Sequence, residues 1–222
     1  SGGCGNITDT PTNGTFSQTT ITYTVNPRGP GPLFCVGASF TIDVPVDPLP
    51  SITNCDLDDE FCGVGTASFN PMIDVASSSY TWSSTILSGT VTGATSGPIT
   101  NSPINDNLTN SGSTSALIRY RITPTGPGGC VGSFVDYLVT VNAVPDISAS
   151  NDQICSGENT NIAITNPNGV PGTSFSWTIG TVTGVVSGQA AGSGTGITQT
   201  LTSADGGSVE YIITPEANSC GG

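Results

Sequence analysis

The chain has 222 residues, with sixteen Asp and Glu against three Lys and Arg and no His, which gives a formal net charge of −13. So acidic a chain repels phosphate backbones and anionic lipid headgroups, and this excludes nucleic acids as partners. Without His it has no Ser-His-Asp triad, no imidazole acid or base and no His-based zinc site, so we expect neither catalysis nor a resident cofactor. No apolar run of about 20 residues occurs, so we expect no direct membrane insertion by this segment.

One pattern recurs three times along the chain. Each copy has a tyrosine, a proline four positions later and then a cysteine: Tyr23, Pro27 and Cys35; Tyr120, Pro124 and Cys130; Tyr211, Pro215 and Cys220. The tyrosines are 97 and 91 residues apart. A fixed period of this size predicts a string of similar β domains.

The phase of the repeat predicts the domain boundaries. Residues 1–48 form the C-terminal part of a first repeat, residues 49–143 a complete second repeat, and residues 144–222 a third repeat that lacks its last strand. We therefore expect the chain to be a section of a much longer array.

Short runs rich in β-branched residues alternate with Gly-, Pro-, Asn- and Ser-rich turns, and helical periodicity is almost absent. In the third repeat the predicted strands cover residues 146–149, 161–165, 174–179, 182–186, 197–201 and 209–214. The second repeat adds a last strand over residues 134–141, with Val139 and Val141 on one side. Seven strands with a central Trp and a late Tyr predict an all-β fold of tandem immunoglobulin-like sandwiches, with both aromatic residues in the core.

Two short linkers join the repeats. Residues 46–51 contain Pro48 and Pro50, and residues 141–146 contain Pro145. Proline restricts the backbone to extended conformations. We therefore expect each repeat to have its chain neighbours as partners, in an end-to-end rod.

Seven cysteines in a chain of this composition predict disulfides in an oxidising exterior. One scheme pairs cysteines within a repeat, as Cys62–Cys130 and Cys155–Cys220. In a sandwich, however, the first turn and the last hairpin lie at opposite ends, roughly 20 Å apart along the strands. A disulfide needs Cα atoms only about 4.4–6.8 Å apart. In stacked repeats the first-turn cysteine of one faces the last-hairpin cysteine of the next, which predicts Cys62–Cys220.

If disulfides join neighbouring repeats, not every other cysteine has a partner within this chain. Cys130 and Cys155 would pair with repeats outside this chain, Cys4 would pair with Cys35, and Cys55 has no evident partner. The sequence leaves both schemes open.

Carboxylates are dense at one place, just before Cys62 in the predicted first turn of the second repeat. The residues are Asp56, Asp58, Asp59 and Glu60. Because the spacing does not match an EF-hand loop, we interpret this segment first as a solvated acidic loop. A Ca²⁺ site is the alternative, because calcium takes several oxygen ligands from flexible loops.

Four short motifs of the third repeat carry a family resemblance. They are Ile-Cys-Ser-Gly at 154–157, Phe-Ser-Trp-Thr at 175–178, Thr-Leu-Thr at 200–202 and Tyr-Ile-Ile-Thr-Pro at 211–215 followed by Cys220-Gly221. Together they resemble the PKD-like and Ig-like repeats of very large surface adhesins of Bacteroidetes-type bacteria. These adhesins are exported by the type 9 secretion system, and the SprB-type gliding-motility adhesins are among them. The second repeat departs from the pattern, with Phe-Cys-Gly-Val at 61–64.

The resemblance implies a structural stalk or filament segment at the bacterial cell surface, acting in attachment and gliding motility. A surface or glycan ligand would be bound by other parts of the protein. Three alternatives stay open: an array of glycan-binding modules, a non-catalytic spacer in a secreted multidomain enzyme, and a subunit that polymerises laterally or by strand exchange.

Overall fold

The computed structural model describes residues 6–30, 32, 35–54 and 57–222, and strands dominate them. In the first repeat, β1 (Thr19–Val25) and β2 (Phe40–Val46) form an antiparallel hairpin in which Tyr23 lies opposite Ile42. The larger apolar side chains of both strands alternate onto one face of this hairpin, as the period of two in a strand requires.

The second repeat contains β3 (Asp58–Cys62), β4 (Val64–Phe69), β5 (Ser79–Ser88), β6 (Val91–Thr92), β7 (Ile99–Thr100), β8 (Ile104–Asn110), β9 (Ala116–Thr125) and β10 (Val135–Asn142), with a 3₁₀ turn at Pro127–Gly129. One sheet has the order β3-β10-β9-β5-β7 and the other the order β4-β8-β6. β10 pairs antiparallel with β9 and parallel with β3. This all-β arrangement confirms the predicted immunoglobulin-like fold.

The core of the second repeat lies between these two sheets. Every second side chain of β9 is buried, from Ala116 to Pro124. Val139 and Val141 of β10 are also fully buried, which confirms that they face one side. The Tyr120 ring stacks on Tyr137 and meets Trp82 edge-on, with ring centroids 5.6 and 5.8 Å apart. Stacked and edge-to-face ring pairs add to the stability that burial provides.

The third repeat contains β11 (Ser148–Ala149), β12 (Ile162–Thr165), β13 (Ser174–Gly184), β14 (Gly192–Ser193), β15 (Gly196–Ile197), β16 (Gly207–Ala217) and β17 (Cys220–Gly221). Its sheets have the orders β11-β12-β15 and β14-β13-β16-β17. The strands predicted at 174–179 and 182–186 are one strand, because β13 stays paired with β16 through a register shift between Ile179 and Val182. The strands predicted at 146–149 and 197–201 shorten to β11 and β15.

The acidic residues of the second repeat occupy a strand, so their predicted place in a turn is wrong. Asp58, Asp59 and Glu60 belong to β3, where they pair with Leu138, Val139 and Thr140 of β10. Strand pairing therefore holds this segment extended and directs neighbouring side chains to opposite faces. Asp56 lies outside the described residues.

Candidate functional site

A disulfide joins the second repeat to the third. It connects Cys62, the last residue of β3, to Cys220 of β17, with Cα atoms 5.6 Å apart and a sequence separation of 158. This is the bond predicted between repeats. Because it uses one cysteine of each in-repeat pair, the alternatives Cys62–Cys130 and Cys155–Cys220 are wrong.

Gly63 forms the sharp turn that places Cys62 at the junction. Its φ of +61° lies in the left-handed region that L side chains rarely adopt. Its N–H donates to the Asn142 carbonyl over 2.9 Å, and its own carbonyl accepts the Asn110 N–H at 2.8 Å. A Cβ at this position would lie 2.8 Å from Cγ2 of Val144. The turn is thus fixed by a hydrogen bond to the end of β10 and by close packing on the linker residue Val144.

The linker also contacts the third repeat closely. A Cβ on Gly222 would lie 2.1 Å from the carbonyl oxygen of buried Pro145, so only glycine permits this approach. The Asn168 side chain donates to the Val144 carbonyl over 2.9 Å and accepts the Asp146 N–H at 3.1 Å. Both sides of the linker are therefore fixed by backbone hydrogen bonds or by close contact.

A small apolar cluster completes the junction. Ala143 of the linker, Val170 of the loop after β12 and Ala217 of β16 are 0%, 2% and 2% exposed. The loop is held in place by Asn166, whose side-chain amide donates to the Val170 carbonyl over 2.8 Å. Burial of this cluster gives the two repeats apolar contact in addition to the covalent bond.

The hairpin of the second repeat meets the preceding linker in the same way. A Cβ on Gly132 would lie 1.9 Å from the carbonyl oxygen of Pro50. The Gly132 N–H donates to the Pro124 carbonyl over 3.0 Å, and the Gly222 N–H donates to the Pro215 carbonyl over 3.1 Å. One junction geometry thus occurs at both linkers.

The family comparison matches three successive segments, residues 1–50, 59–145 and 152–222, to a PKD-like domain. The chain belongs to the PKD-like domain family. No curated protein matches it in sequence. PKD-like domains are typically extracellular structural modules, and the disulfide fits an oxidising environment. In the described part of the chain, no helix is long and apolar enough to cross a membrane.

Two acidic residues of this PKD-like repeat accept hydrogen bonds from side chains of its last strand, β10. The Tyr137 hydroxyl donates to Asp59, and the Asn142 amide donates to Glu60 over 2.6 Å. Burial, followed by the hydrogen bond to Asp59, raises the pKa of Tyr137. Among the described residues, no group of three or more His, Cys, Asp or Glu side chains is placed to hold a metal ion. Because Asp56 lies outside those residues, the calcium site stays a prediction.

The other described cysteines, Cys35, Cys130 and Cys155, form no disulfide with another described cysteine. Cys35 and Cys155 are exposed, and Cys130 is half-buried. Cys130 and Cys220 occupy equivalent hairpins of successive PKD-like repeats, and Cys155 corresponds in the repeat pattern to Cys62. Cys4 and Cys55 lie outside the described residues, so the pairing of Cys4 with Cys35 stays a prediction.

Both tryptophans of the PKD-like repeats are core residues, as predicted. Trp82 and Trp177 are 4% and 7% exposed. The fully buried Tyr120 donates its hydroxyl to Asp106 over 2.8 Å, and burial, followed by this bond, raises the pKa of Tyr120. Asp106 also accepts the backbone and side-chain donors of Thr95 at 2.7 and 2.6 Å. Tyr120 is therefore a core aromatic residue, as predicted.

Several residues of the junction between PKD-like repeats were not predicted. Asn110, Asn142 and Asn168 resemble the many Asn residues that solubilise the chain, and nothing in the local pattern marks them as junction residues. A repeated glycine could have predicted the contact between hairpin and linker. Gly132 and Gly222 each lie two positions after the hairpin cysteine of their repeat, Cys130 and Cys220.

Proposed function

We propose that the chain is a structural segment of the stalk of a long bacterial cell-surface adhesin, built from PKD-like repeats in an end-to-end rod. The Cys62–Cys220 disulfide between successive repeats carries this proposal. The motifs shared with the repeats of type 9-secreted adhesins support it. Other parts of the protein would bind the surface or glycan ligand in attachment and gliding.

The disulfide changes the path that tension takes along such a stalk. Force applied at the two ends of the chain reaches Cys62, crosses the S–S bond and leaves from Cys220. The segment between these cysteines forms a closed loop and bears little of the load through its own backbone. Unfolding of that loop therefore adds no length to the stalk while the bond is intact.

The non-covalent contacts at the junction have a second role. Gly63 packs on Val144, and Gly222 packs on Pro145. These contacts resist bending of one repeat relative to the next, whereas the disulfide resists extension. Stiffness and limited extension are the properties that a load-bearing stalk needs.

Single-molecule force spectroscopy on the full chain, tethered at both termini, tests the proposal. Oxidised chains should release only the residues outside the loop. In reductant the loop adds roughly 520–570 Å of contour length, because a sequence separation of 158 extends by about 3.3–3.6 Å per residue. If oxidised chains release the full contour length, the proposed force path is wrong.

Cys155→Ser is the matched control for Cys62→Ser. Cys155→Ser removes an exposed thiol and should leave the released contour length unchanged. Cys62→Ser should release the additional contour length of the loop even without reductant. The location is tested separately, with antibodies raised against the chain. They should label intact cells of the source bacterium, and labelling only after lysis would contradict display at the surface.

A further inference from the structure

Asn168 and Gly169 form one of the two Asn-Gly pairs in the sequence, and they lie at the junction of the second and third repeats. Both residues are exposed, in the loop between β12 and β13. An Asn-Gly pair is chemically labile, because glycine has no side chain to keep its backbone nitrogen away from the asparagine side chain. The other pair, Asn13 and Gly14, lies in the first repeat.

The folded junction restrains the Asn168 side chain. Its amide donates to the Val144 carbonyl over 2.9 Å and its oxygen accepts the Asp146 N–H at 3.1 Å, so both polar ends are bound to the linker. The Gly169 N–H, whose nitrogen would have to attack this side chain, donates to the Asn166 carbonyl over 3.3 Å. Rotation of the side chain toward Gly169 therefore requires the loss of both bonds to the linker.

The linker itself is fixed from the side of the second repeat. Val144 packs against Gly63, where an added Cβ would lie 2.8 Å from the Cγ2 atom of Val144. Gly63 directly follows Cys62 of the disulfide between repeats. A change at Gly63 that displaces Val144 therefore also displaces the carbonyl that the Asn168 amide binds.

We propose that Asn168 is a site of spontaneous deamidation and that the closed junction suppresses this reaction. Once both bonds to the linker are broken, the backbone nitrogen of Gly169 loses its proton to water and attacks Cγ of Asn168. A C–N bond forms, the side-chain nitrogen leaves as ammonia, and the product is a cyclic succinimide. Water then opens the ring to aspartate or isoaspartate, with no change in oxidation state. This modification goes beyond the stalk function, which requires no covalent change.

The first linker shows what an aspartate at this position can bind. There Asp74 accepts the N–H of Ser51, the residue that follows the linker proline, over 2.7 Å. Asn168 makes the same bond to Asp146 at the second linker. A carboxylate therefore keeps the acceptor bond, but it has no donor for the Val144 carbonyl, and it adds a negative charge beside Asp146. The junction thus stays weakened after the repeats close again.

Peptide mapping by mass spectrometry measures the reaction in the full oxidised chain, incubated in mildly alkaline buffer with and without denaturant. In denaturant both Asn-Gly pairs should be converted at similar rates, whereas in the folded chain conversion at Asn168 should be much slower. Gly63→Ala should accelerate conversion at Asn168 in the folded chain roughly tenfold, because the added Cβ displaces Val144 and makes local opening of the junction easier. The comparison of folded with denatured chain needs no variant, so it tests the proposal even where Gly63→Ala does not fold.

Gly129→Ala is the matched control, because Gly129 also has a positive φ, of +83°, but no atom lies within 4 Å of its added Cβ. It should leave the rate at Asn168 unchanged. Asn13 is an internal control, since it lies outside the disulfide loop and its rate should not respond to Gly63→Ala. Equal rates at Asn168 in folded and denatured chains, or an unchanged rate in folded Gly63→Ala, would overturn the proposal. Either result would leave the force path through the disulfide untouched.

Discussion

Asp106 shows how one buried side chain can organise a core. It is 6% exposed and accepts three hydrogen bonds, from the Tyr120 hydroxyl and from the N–H and hydroxyl of Thr95. A buried carboxylate is tolerated only when such donors replace water. The network fixes the central aromatic residue of the sandwich relative to the loop after β6.

Asp106→Ala should therefore be strongly destabilising. It leaves the buried Tyr120 hydroxyl and a Thr95 donor without partners, which should lower the free energy of unfolding by roughly 3 kcal/mol. Urea denaturation measures this. The control is Asp43→Ala, which removes an exposed carboxylate bonded to Thr22 and should cost less than about 1 kcal/mol. Equal effects of the two variants would show that the network does not stabilise the core.

The Arg121–Asp136 ion pair predicts a pH dependence. Arg121 holds the carboxylate with two bonds of 2.8 Å and lowers the pKa of Asp136 below its ordinary value of 3.8. A lowered folded-state pKa contributes stability above about pH 4, and this contribution is lost as the pH falls through the folded-state value. Because the pair is partly exposed, the contribution should be at most about 1 kcal/mol. Asp136→Asn should reduce the loss of stability between pH 4 and pH 2, and an unchanged acid profile would contradict this.

At the scale of elements, the edge strands depend on their partners. β3 is acidic and exposed along most of its length, yet it is extended because β10 pairs with it in parallel. Residues 151–155 occupy the corresponding place in the third repeat and form no strand in the described structure. Pairing across the sheet, and not local propensity, therefore makes β3 a strand.

Gly132→Ala tests the contact between hairpin and linker. The added Cβ would lie 1.9 Å from the Pro50 carbonyl oxygen, so backbone must move, at a cost of about 1–3 kcal/mol. Thermal unfolding measures this cost, and faster hydrogen exchange in the hairpin would locate it. Gly14→Ala is the control, since no atom lies within 4 Å of its added Cβ. If both substitutions are neutral, the close approach at Gly132 does not hold the junction.

For the whole molecule, the Cys62–Cys220 bond should dominate stability. Closure of a loop of 158 positions stabilises the folded state by about 5 kcal/mol in the chain-entropy model. Cys62→Ser should therefore lower the melting temperature strongly, whereas Cys155→Ser should not. Small-angle X-ray scattering should also show a wider range of inter-repeat angles after reduction. An unchanged melting temperature and scattering curve in reductant would contradict the role of the bond.

Much of this architecture is encoded in features that repeat along the sequence. The spacing of Tyr120 and Tyr211, the alternating apolar residues and the turn residues predict the sandwich and its core, because side-chain period and turn chemistry are local properties. Repeat phase also offers the Cys62–Cys220 pairing, since the topology of a sandwich places its first turn and last hairpin at opposite ends, but the folded chain decides between it and the pairing within repeats.

Contacts between distant segments are visible only in the folded chain. The parallel pairing of β3 with β10, the hydrogen bonds of Asn142 and Asn168 and the contact of Gly222 with Pro145 all join residues that no local pattern relates. Their geometry depends on how two repeats are oriented, and a one-residue change of register would move every side chain of a strand to the other face. For this reason the acidic segment, predicted to be a turn, is a strand whose described carboxylates bind neighbouring side chains.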